Sequence, residues 1–583
     1  MYKLKNPYIV FVILIALSMI FTDITPVSAV DSPEDVDAGF SVMPDTTREI
    51  AVPAGLIYVD GKSEFRWDVL KAVELVLEDY NAKFKVMWNR NTLYVFAEVA
   101  DSSRNAEDKI DIFINENNGK TEASEEDDRV CTLFRDGRAA ENVTCRVTEN
   151  DGGYLIEAAV TLRKNMIFGD RMGFNICFTD ADTGIVLPWS DPFSAHSYTT
   201  SGHGTAVFEK EVKAVYTLYG TPEIDGEMDS VWNDAIEFIT NTWVQGITGS
   251  TAKVKTLWDE RKLYIYAHVT DKALSTASAN VWEQDSIEVY IDQNNGKTAE
   301  YEADDAQYRI SCENRKSYGT GASKDNIVSA VKVIEGGYIV EAAITLDAVS
   351  PVEGMYIGFD IQVNNDENGD RKRNSIVTWN DGSGFSYQNT SRFGVLKFVK
   401  DEDLVFTDIF DVSWAQDQIE FLASKGILKA VSGKNFEPAK EITRADFLYF
   451  LVNTLGLTAE TDSNFSDIDK NAYYYEAIAI AKKLGITKGV GEGLYKPSEG
   501  ITRQDMTTLI LRAMDVTGRE YDGSDISVIQ GFADFSLIAD YAVDSMAVLV
   551  EKGFIQGSKN RLNPLHNLTR AEAAVLLYRI YSE

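Results

Sequence analysis

A long segment of this chain occurs twice in tandem, so one fold has to serve both copies. Ala82-Lys83-Phe84-Lys85-Val86-Met87-Trp88 returns as Ala252-Lys253-Val254-Lys255-Thr256-Leu257-Trp258, and Asn117-Asn118-Gly119-Lys120-Thr121 returns as Asn294-Asn295-Gly296-Lys297-Thr298. Gly152-Gly153-Tyr154-Leu155-Ile156-Glu157-Ala158-Ala159 then returns as Gly336-Gly337-Tyr338-Ile339-Val340-Glu341-Ala342-Ala343. The matches keep their order and set the copies over residues 46–210 and 211–400. Each block is short, rich in β-branched and aromatic residues, alternating in polarity and bounded by Asn, Asp and Gly. Two antiparallel β-sandwiches are expected.

Strand periodicity places the side chains. Ile287, Val289 and Ile291 fall on one face of their strand and Glu288 and Tyr290 on the other, so Glu288 is expected to face away from the core. Tyr308, Ile310 and Cys312 likewise leave Arg309 on the opposite face. Trp282 stands in a polar stretch where no core demands it, and a flat indole suits the apolar face of a pyranose. Glu288 and Arg309 read either as an acceptor and a donor for sugar hydroxyls or as a surface ion pair. Trp232 and Trp258, which recur as Trp67 and Trp88, read as core.

Residues 214–400 carry Tyr219-Gly220-Thr221-Pro222-Glu223-Ile224-Asp225-Gly226, Trp282-Glu283-Gln284-Asp285-Ser286-Ile287-Glu288 and Asp304-Asp305-Ala306-Gln307-Tyr308-Arg309. With these motifs the segment resembles a family 9 carbohydrate-binding module over its full length. The resemblance implies β-glucan or xylan as ligand, a sugar held between two aromatic rings, and calcium ions holding loops. It makes Trp282 one stacking residue and sets Tyr387 where the family has a second tryptophan. Asp304 and Asp305, acidic residues at a strand end, are the expected Ca2+ ligands. The first copy departs at these places, with Asn105 for Trp282, Asp111 for Glu288, and Arg129 matched to Arg309 only by skipping residues. Tyr198 alone keeps its place opposite Tyr387, so the first copy is expected to be a spacer or an altered binder.

After Lys400 the periodicity becomes helical and a shorter unit occurs three times, over residues 401–457, 461–516 and 528–583. Phe406-Thr407-Asp408, Phe465-Ser466-Asp467 and Phe532-Ala533-Asp534 open the units. Thr443-Arg444-Ala445-Asp446, Thr502-Arg503-Gln504-Asp505 and Thr569-Arg570-Ala571-Glu572 follow at matching distances. Thr with an acid three residues on reads as a capping box. The box does not explain the arginine, because a cation there opposes the helix dipole, and a bound anion would. The alternative is solvated arginines on a surface turn. The ordered set resembles three S-layer homology (SLH) domains, which implies attachment to bacterial secondary cell-wall polysaccharide bearing ketal-linked pyruvate. Under that resemblance Asp408, Trp414, Arg444, Asp467, Arg503, Asp534 and Arg570 are the wall-polymer residues, with Tyr473 and Tyr541 in the place of Trp414.

Charge and composition narrow the function. With 91 acidic against 56 basic residues the formal charge is −35, which repels nucleic acid and anionic membranes. Lys3 and Lys5, the apolar run Tyr8 to Phe21 and the small residues Ser28 and Ala29 read as a secretory signal over residues 1–29, with an uncleaved anchor as the competing reading. A secreted protein of the cell surface, cell wall or S-layer is expected, with no membrane span once processed. Free buried thiols are favoured over a Cys131–Cys145 bridge. Beyond the signal, two sandwiches and three helical units no stretch is long enough for a (β/α)8 barrel, and the four histidines show no metal or triad spacing. A non-catalytic, wall-anchored binder of plant-type β-glucan or xylan is expected. The alternatives are an accessory part of a xylanase or other glycoside hydrolase system and an S-layer lattice subunit.

Overall fold

A computed structural model describes residues 47–582, apart from 58, 64, 78–79, 122–124, 192–199, 401–404, 462, 520–524, 559 and the side chain of 411. The segment read as a signal and Tyr198 lie outside the described residues. In the first copy a five-stranded sheet runs Val73–Leu77, Tyr80–Asn89, Thr92–Ala100, Gly153–Thr161, Val143–Asn150. It faces a second sheet ordered Glu49–Pro53, Gly204–Glu209, Arg171–Thr179, Lys109–Asn115, Asp128–Phe134. The second copy repeats this plan, and its strand Ala214–Tyr219 pairs on both sides, with Gly394–Val399 and with the end of Thr251–Trp258, so its two layers are hydrogen-bonded into one sheet. Period-2 alternation sends Ile287, Val289 and Ile291 into the core, as expected. Trp67 and Trp232 are fully buried, and their indole N–H groups donate to the equivalent acids Glu157 and Glu341 at 2.8 and 2.9 Å. Trp258 is buried too, whereas Trp88 is half-buried.

The pairing is not wholly antiparallel. Glu49–Pro53 lies parallel to Gly204–Glu209, and Ala214–Leu218 lies parallel to Val395–Val399. These partners are far apart in sequence, so no hairpin turn fixes their relative direction. All four cysteines are buried and free, which excludes the Cys131–Cys145 bridge.

The C-terminal helices share one core that includes Phe406, Phe436, Ile442, Leu448, Ile501 and Leu568. Just before the three tetrads the chain segments meet in a ring: Ile442 N–H donates to the Leu568 carbonyl at 2.9 Å, Leu568 N–H to Ile501, and Ile501 N–H to Ile442, both at 3.3 Å. Gly426, Gly485 and Gly553 end helices at φ +70, +77 and +77, the left-handed stop the sequence predicts. Among the described residues no helix is long and apolar enough to cross a membrane.

Helix Ser413–Ser424 seats against both sandwiches. Arg66 of the first copy donates to the Ser413 carbonyl at 2.8 Å, and the Tyr216 hydroxyl of the second donates to Glu420 at 2.9 Å. Asp417 belongs to the same junction with one buried carboxylate oxygen unpartnered, and burial pushes its carboxyl up to about 7, while burial also raises Glu420. A raised acid favours the protonated folded form, so its stabilisation is complete well below its ordinary value and is lost as pH rises through 7. The melting temperature is therefore expected to fall between about pH 4 and 7 and to level off above that, and Asp417→Asn to flatten that fall. An equal fall in the variant would place the titrating group elsewhere.

Candidate functional site

The strand Ser286–Asp292 lies between Asp305–Ser311 and Tyr356–Asn365, a register that sets Glu288 opposite Arg309 on one side and Gln362 on the other. The outward face of these three strands floors a cavity of about 370 Å3 lined by Trp282, Tyr387, Glu288, Arg309, Gln307 and Arg373, among others. Trp282 projects from the single turn Val281–Glu283, and the Glu283 carboxylate pins that turn by accepting the Arg373 N–H at 2.7 Å. Trp282 is 45% exposed and Tyr387 48%, and both line the cavity rather than the core. The Tyr387 loop is held through Ser386, whose hydroxyl donates to Asp381 and whose carbonyl accepts from Tyr301.

Glu288 faces away from the core as expected, yet it is buried. Four donors surround it: Arg309 Nε, Tyr290 hydroxyl and Asn364 Nδ2 at 2.8 Å each, and Gln307 Nε2 at 2.5 Å. Burial alone raises this carboxyl, but the Arg309 guanidinium and the other donors outweigh it and hold it below the usual carboxylate range. The Glu288–Arg309 ion pair is therefore present, and it is a half-buried platform element rather than a surface pair. With its oxygens saturated, Glu288 orients Arg309, while Arg309, Gln307 and Arg373 present polar groups to the cavity. Tyr290 and Gln307 stand two residues from Glu288 and Arg309 on the same strand faces, so period-2 counting was enough to find them. Gln362 and Arg373 enter only through strand pairing and loop closure.

The first copy lacks this platform. In its register Asp111 lies opposite Thr132 and Cys177, so the counterpart of Arg309 is Thr132, and the match to Arg129 is corrected. Arg129 stands three residues away and instead binds Glu116 at 2.8 Å and the Thr161 carbonyl at 3.0 Å. Asp111 accepts from Thr132 at 2.5 Å and pairs with Lys109 at 2.7 Å, and Asn105 donates to Asp182.

Acidic groups cluster beside the platform. Asp292, Asp304 and Asp305 bring carboxylate oxygens within 4.8 Å of one another, and burial, with Asp292 and Asp304 adding, pushes Asp305 up to about 7. The sequence pointed to Asp304 and Asp305 and missed Asp292. A second group, Asp271, Asp285 and Asp366, is buried, with one oxygen of Asp271 and one of Asp366 unpartnered. The oxygen-only set Asp292, Asp304 and Asp305 suits a hard cation. In the first copy the strand register puts Arg135 where the second has Cys312, and its guanidinium bonds Asp101 and Asp108 at 3.0 and 3.1 Å, neutralising from within what the second copy leaves open.

In the helical region the tetrad arginines are not solvated on a surface turn, although Arg503 still borders a groove. They close a ring with the next unit's acid: Arg444 with Asp505 at 3.7 Å, Arg503 with Glu572 at 3.0 Å, Arg570 with Asp446 at 2.8 Å. Burial supplies the reason, since an arginine this enclosed needs an internal partner. Each Thr caps its helix, but only Thr569 and Glu572 complete the reciprocal box. The shorter Asp446 and Asp505 instead accept from the Tyr473 and Tyr541 hydroxyls. Asp408, Asp467 and Asp534 each take two successive backbone N–H groups of a distant loop, at 2.7 to 2.9 Å, which is a clamp within the fold. Trp414 is 38% exposed.

Residues 60–210 and 224–401 match the carbohydrate family 9 binding domain-like profile, and residues 405–448, 464–507 and 531–574 match the S-layer homology domain. Exoglucanase XynX of Acetivibrio thermocellus is 38% identical over 512 residues, which are 85% of this chain and 46% of that protein. Endo-1,4-beta-xylanase A of Thermoanaerobacterium saccharolyticum is 40% identical over 440 residues, 73% of this chain and 38% of that protein. A family 9 carbohydrate-binding module from Caldicellulosiruptor kristjanssonii, solved in complex with cellotriose, is 34% identical and covers 32% of this chain and 94% of its own, with a TM-score of 0.31. The chain spans less than half the length of the two enzymes, and the profiles it matches are non-catalytic. S-layer homology domains mark a cell-surface protein anchored to the wall. The chain belongs to the carbohydrate family 9 binding domain-like family, carrying two copies of that domain ahead of three S-layer homology domains.

Proposed function

We propose that the second sandwich holds a β-glucan or xylan chain while the helical units fasten the protein to secondary cell-wall polysaccharide, without catalysis by these modules. The observation that carries the first half is the cavity in which two exposed aromatic rings, Trp282 and Tyr387, flank a pre-bonded guanidinium and amide platform. Rings stack on pyranose faces and fixed polar groups select hydroxyls. The first sandwich offers Thr132 and Cys177 in place of Arg309 and Gln362, so it is proposed not to share this ligand. Calorimetric titration of the full chain with cello- or xylo-oligosaccharide tests this and is expected to give one site per chain. Two equal sites would overturn the asymmetry, and no heat would overturn the ligand class.

The kinship with an exoglucanase and a xylanase favours a second reading, in which these modules serve a glycoside hydrolase system and keep its enzymes near their substrate. A lattice role would instead appear as sheets formed in solution by a chain without sugar affinity. We further propose Ca2+ at Asp292, Asp304 and Asp305. Chelator is expected to lower the melting temperature of the parent, and much less that of Asp305→Asn. A melt indifferent to chelator would remove calcium from the account.

A further inference from the structure

The two sandwiches share a plan, yet each carries a patch that the other lacks, and the two patches meet. In the first copy the turn Phe65–Asp68 is anchored by Trp67, as Ser230–Asn233 in the second is anchored by Trp232, each through its indole bond to the equivalent acid. The residues around the tryptophan differ. Phe65, Arg66 and Val69 are buried, whereas their counterparts are exposed Ser230, half-buried Val231 and exposed Asp234. The sandwich plan itself does not require this burial, because the equivalent side chains of the second copy meet water. Phe65 and Val69 belong instead to the buried apolar cluster of the second sandwich.

The seat that receives them lies across three strands of that sandwich, where the register sets Tyr216 and Tyr356 on either side of Lys397. Phe65 is edge-on to the Tyr216 ring at 4.9 Å and stacked on that of Tyr356 at 6.3 Å, and the Lys397 ammonium lies 5.2 to 5.5 Å from all three rings. The Tyr356 hydroxyl adds a bond to Asp68 at 3.1 Å. In the first copy the same ladder positions hold Ala51, Val207 and Arg171, with Ala51 and Arg171 exposed, so it has no such seat. The helical region closes over the other side. Phe410 packs on Tyr216 at 4.8 Å, and Arg66 divides its guanidinium between the Ser413 carbonyl and Glu211, at the boundary between the copies, at 2.8 Å each.

We infer that the first sandwich is a coupling module, whose turn at residues 65–69 plugs the seat of Tyr216, Lys397 and Tyr356 and is locked there by helix Ser413–Ser424, so that the sugar cavity and the helical anchor are carried by one rigid body. Domains of one chain move relative to each other unless the interface between them is large and apolar. A buried aromatic plug bonded to both neighbours removes that freedom. The coupling goes beyond the binding reading, since it holds whichever polymers the two ends take. It gives the copy without a sugar platform a task of its own, which is to fix the direction of the cavity relative to the helices.

The test uses the full chain, by small-angle X-ray scattering beside calorimetry with cello-oligosaccharide. Phe65→Ser combined with Val69→Asp installs the residues that the second copy carries at the same turn, which this sandwich plan already accommodates. The parent is expected to scatter as one compact body. The double variant is expected to show a larger radius of gyration and a broader distribution of interatomic distances, with the sugar heat unchanged. Tyr216→Ala, which places the first copy's residue in the seat, is expected to give the same rise from the other side, and it decides alone if the double variant loses its fold. A parent that scatters as loosely linked bodies overturns the coupling, and so does a Tyr216→Ala protein that keeps the parent's radius of gyration.

Discussion

Trp282→Ala is expected to abolish measurable oligosaccharide binding while leaving the melting temperature of the protein where it was. Trp282 is 45% exposed on a single turn, and the core beneath it is built by Ile287, Val289 and Ile291 without its help. Truncating a stacking aromatic at the centre of a site costs about 2 kcal/mol or more, which is about thirtyfold in affinity. Arg309 would be a poorer probe, because removing it leaves Glu288 as a buried charge and mixes a stability loss into the binding loss. The measurement is calorimetry with cello- or xylo-oligosaccharides beside a thermal melt. A Trp282→Ala protein that binds like the parent would show that the cavity is not the sugar site.

The second large effect is on stability. The Arg570 guanidinium makes three bonds, to the carbonyls of Phe436 and Lys429 at 2.6 Å each and to Asp446 at 2.8 Å, and it ties the third helical unit to the first. Arg570→Ala orphans two carbonyls and unpairs an acid inside the fold, and breaking such a buried pair costs about 3 to 5 kcal/mol. The melting temperature is expected to fall most for Arg570→Ala and least for Arg503→Ala, whose side chain is 20% exposed and among the described residues bonds only Glu572. Release from cell walls after replacing all three arginines would thus report unfolding as much as lost ligand contact. An Arg570→Ala protein that melts like the parent would refute the structural role.

Much of this was legible in the sequence. Period-2 alternation separated Ile287, Val289 and Ile291 from Glu288, and the lone Trp282 in a polar stretch pointed to the cavity. Capping threonines and stop glycines placed the helices. What stayed hidden depends on partners distant in the chain. Whether Glu288 meets water or four donors is decided by strands whose facing residues, Arg309 and Gln362, lie 21 and 74 residues further on, and the parallel pairing of first and last strands has no local signal. The arginine ring stayed hidden for the same reason: a helix-start cation carries no local sign of the acid of another unit that closes on it.

That parallel pairing has a mechanical consequence. In each sandwich the chain enters along the first strand and leaves along the last, and the two are bonded side by side in the same direction, Glu49 opposite Thr205 through Pro53 opposite Glu209, and Ala214 opposite Val395 through Leu218 opposite Val399. Tension applied at the two ends of a copy therefore loads the rungs of this ladder in shear, all together, instead of peeling them one at a time. Forced unfolding is governed by the rate of crossing that barrier rather than by equilibrium stability. A tether between a fixed wall and a dragged polysaccharide would then hold against pulls that would unzip a hairpin of the same length.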